Sequence, residues 1–157
     1  MEKLQRFREN LAAEKIDAMI ITNPYNRRYI SNFTGTSGIV VISEKEAKFI
    51  TDFRYTEQAA KQAVGFEIVK HTGPIENEVA AQLKAMGAKK VGFEQDDLTF
   101  ALYKTYEGVV EGELVPLSGF VEKLRLIKTP EEIKILKDAA DIADAAFEHI
   151  LGFIRPG

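Results

Sequence analysis

The feature that most restricts the fold of this chain is the regular alternation of short apolar runs with helical patterns after residue 53. Helical patterns occupy 54–64, 75–86 and 98–107, and strands with the sequences FEIV, VGFE and ELVP occupy 66–69, 91–94 and 113–116. Strands separated by helices of about ten residues form βαβ crossovers, which give parallel pairing and cover both faces of a sheet. The sequence therefore predicts the α/β class.

The N-terminal third of the chain adds an antiparallel part to this sheet. A helix is predicted over 2–15, a strand over 17–22, a brief helix over 26–31 and two further strands over 38–43 and 47–52. The last two strands are joined by a short polar turn, which is the spacing of a β-hairpin. We therefore expect a mixed, mostly parallel sheet with helices on both faces.

Charge and composition exclude several classes of partner. The 157 residues suit one domain, and the formal net charge of −3 gives no general attraction to phosphate backbones or anionic membranes. No stretch reaches the roughly 18 apolar residues of a membrane span, and the N-terminus lacks the apolar core of a signal peptide. The chain contains no cysteine, so disulfides and thiolate metal sites are ruled out. We expect a cytoplasmic protein that binds neither nucleic acid nor membranes.

A separate unit is predicted from residue 127 onward, after a domain that spans 1–126. Thr129, Pro130 and Glu132 stand at the N-cap, first and third positions of a helix. Apolar residues then recur at helical spacing up to a glycine at 152, namely Ile133, Leu136, Ala140, Ala143, Phe147 and Ile150. The sheet already has helices for both faces. We therefore expect part of this stripe to pack against a segment that follows residue 157.

The small-residue loop 35–38, Gly-Thr-Ser-Gly, is a weak candidate for phosphate binding. It matches no phosphate-binding pattern, and it precedes a strand, whereas phosphate loops precede a helix whose amides bind the anion. A tight turn that needs the positive φ of glycine explains it better. Ser37 also lacks the strand–turn–helix context of a nucleophile elbow.

The other polar residues are interpreted as structural. His71 and His149 lack the spacing of paired zinc ligands, and we expect both at the surface. Asp96 or Asp97 is expected to cap the helix that follows. No metal site is predicted in this chain.

One charged group remains open to two interpretations. Asp52, Arg54 and Tyr55 stand where a strand ends and a helix begins, which is where open α/β sheets bind ligands. An arginine that contacts a ligand there would be exposed and free to pair with a carboxylate. A structural arginine would instead be buried or locked to Asp52, and the aspartate would cap the helix.

The string YISNFTGTSGIVVISEKEAKFITDFRYTEQAAKQA resembles the N-terminal domain of the creatinase, prolidase and aminopeptidase P family, in which YLTGF-x-G-S-x-G precedes a strand pair and D-G-R-Y. The later VGFE and VEKLRLIKTPEEIKILKDAADIADAAFEHI are similar to that family's mid-chain strand and to the join between its two domains. Ser31-Asn32 replaces Thr-Gly, and Phe53 replaces glycine. We therefore expect the loop geometry near both motifs to differ.

The resemblance implies a Xaa-Pro metallopeptidase, an aminopeptidase or dipeptidase acting on peptides with proline at the second position. In that family a C-terminal pita-bread domain holds two divalent metal ions, Mn, Co or Zn, on two aspartates, a histidine and two glutamates. Residues 127–157 resemble the linker and first helix of that domain, before any metal ligand. The chain alone is therefore expected to be inactive, with no catalytic residue and no cofactor.

The resemblance also implies that this domain supports a homo-oligomer, which we expect to be a dimer, and narrows an active-site cleft. Arg54, Tyr55 and Tyr25 are then the candidates for contact with substrate. The alternative is a peptidase-like protein-binding module without catalysis, because the fold alone does not separate the two. Five metal ligands in order downstream of residue 157 would distinguish an enzyme from such a module.

Overall fold

The computed structural model describes residues 2–157, which form seven helices and six strands. In chain order the elements are α1 (Glu2–Ala13), β1 (Ala18–Ile21), α2 (Pro24–Ser31), β2 (Ile39–Ser43), β3 (Ala47–Thr51), α3 (Thr56–Gln62), β4 (Glu67–Lys70), α4 (Ile75–Ala85), β5 (Lys90–Glu94), α5 (Phe100–Val109), β6 (Glu113–Leu117), α6 (Phe120–Leu126) and α7 (Pro130–Leu151). Residues up to 124 form one compact unit, and residues 125–157 form a second.

The six strands form one sheet in the order β4-β3-β2-β1-β5-β6. Strand β2 runs antiparallel to both of its neighbours, β1 and β3, whereas the other three pairs are parallel. Five strands therefore share one direction, so that their carboxyl ends lie at one edge of the sheet, where β2 begins. We call this the carboxyl edge. The predicted mixed, mostly parallel sheet is confirmed.

Alternate side chains of the central strands supply the two halves of the core. Met19 and Ile21 of β1 belong to a buried cluster with Phe7 of α1 and with side chains of α2, α3 and α6. Ile20 faces the opposite way and belongs to a second cluster with Leu83 of α4 and side chains of α5. Each such side chain stabilises the fold by about 1.5–3 kcal/mol through its burial. Helices on both faces are therefore confirmed as well.

Helix α6 is an element that the sequence patterns did not predict. Its seven residues follow β6 after a two-residue turn, and Phe120, Val121 and Leu124 are buried. The helix is too short for a long amphipathic pattern, and its apolar residues span barely more than one turn. Packing on the sheet therefore decides its structure.

Helix α7 begins as predicted. The Thr129 hydroxyl accepts a hydrogen bond from the Glu132 amide, at 3.2 Å, and the Glu132 carboxylate accepts one from the Thr129 amide, at 3.0 Å. This capping box satisfies two amides at the helix start. None of the residues of α7 is buried. No helix within residues 2–157 is long and apolar enough to cross a membrane.

Candidate functional site

The carboxyl edge brings together loops that are far apart in the sequence. Thr22 and Asn23 follow β1, Asp52 follows β3, and Glu94 ends β5, whereas the loop 35–38 leads into β2. In open α/β sheets this edge is the usual place for ligand contact. Two networks of hydrogen bonds organise it, one around Glu94 and the other around Arg27.

Glu94 is a buried carboxylate, 6% exposed, that organises the start of α2. One of its oxygens accepts hydrogen bonds from the backbone amides of Thr22, at 2.8 Å, and Asn23, at 2.7 Å. The other accepts one from the Asn26 side-chain amide at 2.7 Å. Burial raises the pKa of Glu94 above its ordinary value, whereas these donors lower it. The network fixes the loop after β1, and its donors offset part of the cost of the buried charge.

Asp96 and Asp97 do not cap α5, and that prediction was wrong. The N-cap of α5 is Thr99, whose hydroxyl accepts a hydrogen bond from the Leu102 amide. Asp97 instead accepts hydrogen bonds from the hydroxyl of Thr22 and the side-chain amide of Asn23. The helix begins later than predicted, so both aspartates lie in the loop that precedes it.

The carboxylates at this edge do not form a metal centre. Within residues 2–157 there is no group of three or more histidine, aspartate or glutamate side chains arranged to hold an ion. His71 bonds through its ring nitrogen to the Gly73 carbonyl, and His149 packs on Phe153. The edge therefore offers hydrogen-bonding and aromatic groups to a partner and supplies no ligand set for a metal.

Arg27 is a buried arginine, 6% exposed, on the inner face of α2. Its guanidinium donates to the carbonyl of Gly38 at 2.7 Å and to the carbonyl of Gly35 at 3.0 Å. These two carbonyls stand at the two ends of the loop 35–38. Arg27 therefore joins α2 to both ends of this loop. Desolvation lowers the pKa of the guanidinium.

The two glycines of this loop are required for different reasons. Gly38 has a φ of +151°, so one glycine of the loop has the positive φ expected for this turn. The φ of Gly35 is not positive; instead, a Cβ atom there would lie 2.3 Å from Cζ of Phe33. Close approach to an aromatic ring, rather than backbone conformation, therefore explains Gly35.

The departures from the family pattern fit the backbone. Asn32 ends α2 with a φ of 59°, in the left-handed region that asparagine tolerates better than other non-glycine residues. Phe53, which replaces a glycine, has no positive φ and is exposed. Asn32 therefore adopts a conformation that a glycine also adopts readily, and Phe53 places an aromatic ring on the surface.

Tyr55 contacts both the loop 35–38 and the buried rings beneath it. Its hydroxyl is 2.8 Å from the hydroxyl of Thr36, and its ring packs edge-on against the buried ring of Phe33, with centroids 5.7 Å apart. The Phe33 ring in turn packs on Phe49, at 4.5 Å. Tyr55 is half-buried, with its orientation set from both sides.

Arg54 combines features of both interpretations offered by the sequence. Its side chain is 61% exposed, as expected of a ligand contact, yet it forms a bidentate pair with Asp52, with distances of 2.9 and 2.8 Å. The Arg54 guanidinium holds the pKa of the Asp52 carboxyl well below its ordinary value. Asp52 makes no cap for α3, whose N-cap is Tyr55 without a side-chain bond. The aspartate thus orients an exposed arginine.

Tyr25 lies at the start of α2 and is 71% exposed. It lines a groove of about 300 Å³ with Arg27 and Phe33. Arg54 and Tyr55 are brought together, with the guanidinium carbon 5.4 Å from the Tyr55 ring centroid. Within the described residues, no hydrogen bond, ion pair or ring contact joins Tyr25 to either of them.

Sequence reasoning missed Arg27 and Glu94. A signal was available for each: Arg27 is a charge on the same helical stripe as the buried Ile30 and Ser31, and Glu94 directly follows three buried residues of its strand. Charged residues are almost never buried unless they are paired or hydrogen-bonded. A charge in register with buried positions is therefore a sign of a hydrogen-bonded role.

The fold and the carboxyl edge define the class of domain. Residues 3–127 match the Creatinase/Prolidase N-terminal domain family, and the chain belongs to that family.

Individual relatives are similar over the whole chain or most of it. A Xaa-Pro dipeptidase from Bacillus anthracis is 60% identical, with a TM-score of 0.97, over 100% of this chain and 44% of its own. "Uncharacterized peptidase YqhT" of Bacillus subtilis (strain 168) is 51% identical over 99% of this chain and 44% of its own length. The N-terminal domain of the cytoplasmic peptidase PepQ from Mycobacterium tuberculosis H37Rv is 31% identical, with a TM-score of 0.73, over 78% of this chain and 98% of its own. The chain thus spans less than half of the two longer relatives.

Proposed function

We propose that this chain is the non-catalytic N-terminal domain of a Xaa-Pro metallopeptidase, an aminopeptidase or dipeptidase, in the cytoplasm. The observation that carries the proposal is the match along the whole chain to a Xaa-Pro dipeptidase. In this proposal residues 1–126 form the domain, and residues 127–157 form the linker and first helix of a catalytic domain. The domain supports assembly of subunits and restricts the active-site cleft of an enzyme whose substrates are peptides with proline at the second position.

The metal chemistry belongs to the rest of such a protein. Two divalent ions, Mn, Co or Zn, would there activate water for attack on the peptide bond. The contribution of this chain is to bind and orient. Asp52 holds the Arg54 guanidinium through two of its nitrogens, Nε and Nη2, and the remaining nitrogen, Nη1, is left to donate to a carbonyl or carboxylate of a peptide.

Three exposed or half-exposed side chains form the proposed contact surface: Arg54, Tyr55 and Tyr25. Tyr55 is held by Thr36 and Phe33, so little conformational freedom is lost when a peptide packs on it. Tyr25 presents an exposed ring beside a groove, where it is able to pack on an apolar residue of a substrate.

The test of this proposal is Arg54→Ala in the full-length protein that carries this domain. We expect kcat/KM for a Xaa-Pro peptide to fall on the order of 10- to 100-fold, because a charge-assisted hydrogen bond is worth about 1–3 kcal/mol. The domain should remain folded, since Arg54 is mostly exposed. Steady-state kinetics and thermal unfolding measure the two effects separately.

The matched control is Lys61→Ala, which removes another exposed cation that is paired with a carboxylate, Glu57, on the neighbouring helix α3. It should leave kcat/KM unchanged. If Arg54→Ala lowers the melting temperature while kcat/KM of the folded enzyme stays the same, Arg54 is part of the scaffold and the contact surface is assigned wrongly.

Self-association of this chain is expected from α7, and we propose a dimer. Ile133, Leu136, Phe147 and Ile150 are all exposed, and apolar surface of this extent favours association. Light scattering of the 157-residue chain should give twice the monomer mass, and Phe147→Asp should shift it toward the monomer. Ala145→Asp places the same carboxylate on the opposite face of the helix and should leave the dimer intact. A monomer at high concentration would contradict the proposed assembly role.

The alternative function is a protein-binding module without catalysis. The exposed rings of Tyr25 and Phe53 favour a binding module, because aromatic side chains are common in protein interfaces. The sequence downstream of residue 157 decides between the two, because an enzyme requires the five metal ligands there in order.

A further inference from the structure

Arg27 is the one buried arginine of the described residues, and within them only the more distant Asp97 carboxylate attracts its charge, without a direct ion pair. No carboxylate of residues 2–157 lies within ion-pair distance of its guanidinium, and its Nε has no hydrogen-bond partner. A buried charge without a directly paired counter-ion costs stability, and a neutral side chain of similar size is often tolerated better. Packing alone therefore does not explain an arginine at this position.

The geometry of its two hydrogen bonds indicates what the guanidinium does. Nη1 binds the Gly38 carbonyl and Nη2 binds the Gly35 carbonyl, so that one planar group spans both ends of the loop 35–38. A lysine ammonium is a single point charge and does not reproduce this fork. The loop is also held in its middle, where the Thr51 hydroxyl donates to the Ser37 carbonyl at 2.9 Å.

The loop so fixed carries a group that orients Tyr55. Thr36 lies in the sequence between the two glycines whose carbonyls Arg27 binds, and its hydroxyl is 2.8 Å from the Tyr55 hydroxyl. Phe33 supports the same arrangement, because the Arg27 guanidinium carbon lies 6.0 Å from its ring centroid and the Tyr55 ring packs edge-on against it. A continuous set of contacts therefore runs from Arg27 through the loop to Tyr55.

We propose that Arg27 is a positioning residue, which holds the loop 35–38 in the one conformation that places Thr36 against Tyr55 on the peptide-contact surface. The proposal rests on the proposed function, in which Tyr55 contacts a peptide. Arg27 itself is buried, and its guanidinium donates its hydrogen bonds to the loop carbonyls. Its effect on activity is exerted through the loop.

The first experiment measures the loop in this 157-residue chain by ¹⁵N relaxation. In Arg27→Lys and in the neutral Arg27→Met, the order parameters of Thr36 and Ser37 should fall from about 0.85, typical of rigid backbone, to below about 0.6. Those of β1 and β2 should not change. Arg28→Lys, the same substitution at the adjacent exposed arginine, is the control and should leave the loop rigid.

The second experiment is a double-mutant cycle on kcat/KM in the full-length protein. Arg27→Lys and Tyr55→Phe should each lower kcat/KM about tenfold, and the double variant should also lose about tenfold, because both changes remove the same positioned hydroxyl. Independent effects would multiply to about a hundredfold. The two variants should also change KM and kcat in the same proportion.

The outcomes separate this inference from the proposed function. If Tyr55→Phe lowers kcat/KM whereas Arg27→Lys leaves both the loop and the kinetics unchanged, the positioning role is overturned and the contact surface stands. Order parameters that fall throughout the domain, or multiplied losses in the cycle, also overturn it, because they indicate a general structural role. If neither Arg54→Ala nor Tyr55→Phe alters the kinetics, the contact surface itself is wrong and the positioning role falls with it.

Discussion

Replacement of Glu94 by alanine should lower the free energy of unfolding by about 3 kcal/mol, because each buried donor left without an acceptor costs about 1–3 kcal/mol. The backbone amides of Thr22 and Asn23 and the side-chain amide of Asn26 all donate to this carboxylate. Water satisfies part of the hydrogen bonding that these donors lose, so the expected loss of stability is smaller than the sum of the three separate costs. Urea unfolding at pH 7 measures the difference.

Glu94→Gln is the matched control, since it keeps the volume and one carbonyl acceptor but removes the charge. It should cost less than the alanine variant. A loss below about 1 kcal/mol for Glu94→Ala would show that the loop after β1 keeps its structure without this acceptor.

Comparison of the parent chain with Glu94→Gln also tests how the stability contribution of Glu94 depends on pH. Because the pKa of Glu94 is raised in the folded state, the folded state holds this proton more tightly than the unfolded state does. The stability contribution of Glu94 is therefore highest below its unfolded pKa of 4.5 and decreases as the pH rises through the folded pKa. Glu94→Gln should remove this decrease. Asp52 has the opposite pH dependence, because its pKa is lowered in the folded state. Its contribution to stability is present above its unfolded pKa of 3.8 and is lost as the pH falls below that value.

Local patterns were sufficient to predict the elements and the fold class. The strands of residues 66–116 and the helices between them follow from apolar periodicity, and the α7 capping box follows from three residues. The hairpin β2–β3 follows from its short polar turn. These features depend on residues close in sequence, so they can be derived from the sequence without knowledge of the fold.

The organisation of the carboxyl edge was not predictable in the same way. Glu94 meets Thr22 across 72 positions of the chain, and no periodicity encodes that pairing. The family resemblance pointed to Arg54 and Tyr55 as contact residues. It did not point to Arg27, because an arginine in a short helix is ordinarily solvated. The elements were predictable and the contacts at the carboxyl edge were not, because the order of the parallel strands determines which loops become neighbours.

Gly35→Ala should destabilise the domain by about 2 kcal/mol, the usual cost of an added methyl in a packed site. The new Cβ would lie 2.3 Å from Cζ of Phe33 and 3.0 Å from Cδ1 of Tyr55. Phe33 has little room to yield, because its ring is 1% exposed and packs on Phe49. In the full-length protein the same variant should lower kcat/KM, since Tyr55 has to move.

The control for Gly35→Ala is a glycine-to-alanine substitution that should increase stability. Gly108 lies within α5, and a Cβ there would meet no atom within 4 Å, so Gly108→Ala should stabilise the domain by up to about 1 kcal/mol through helix propensity. Adding Phe33→Leu to Gly35→Ala should recover part of the lost stability, because the smaller side chain makes room for the methyl group. If thermal unfolding shows that Gly35→Ala is as stable as the parent chain, the Phe33 ring relaxes freely. The contact between the loop, Phe33 and Tyr55 is then too loose to position a side chain.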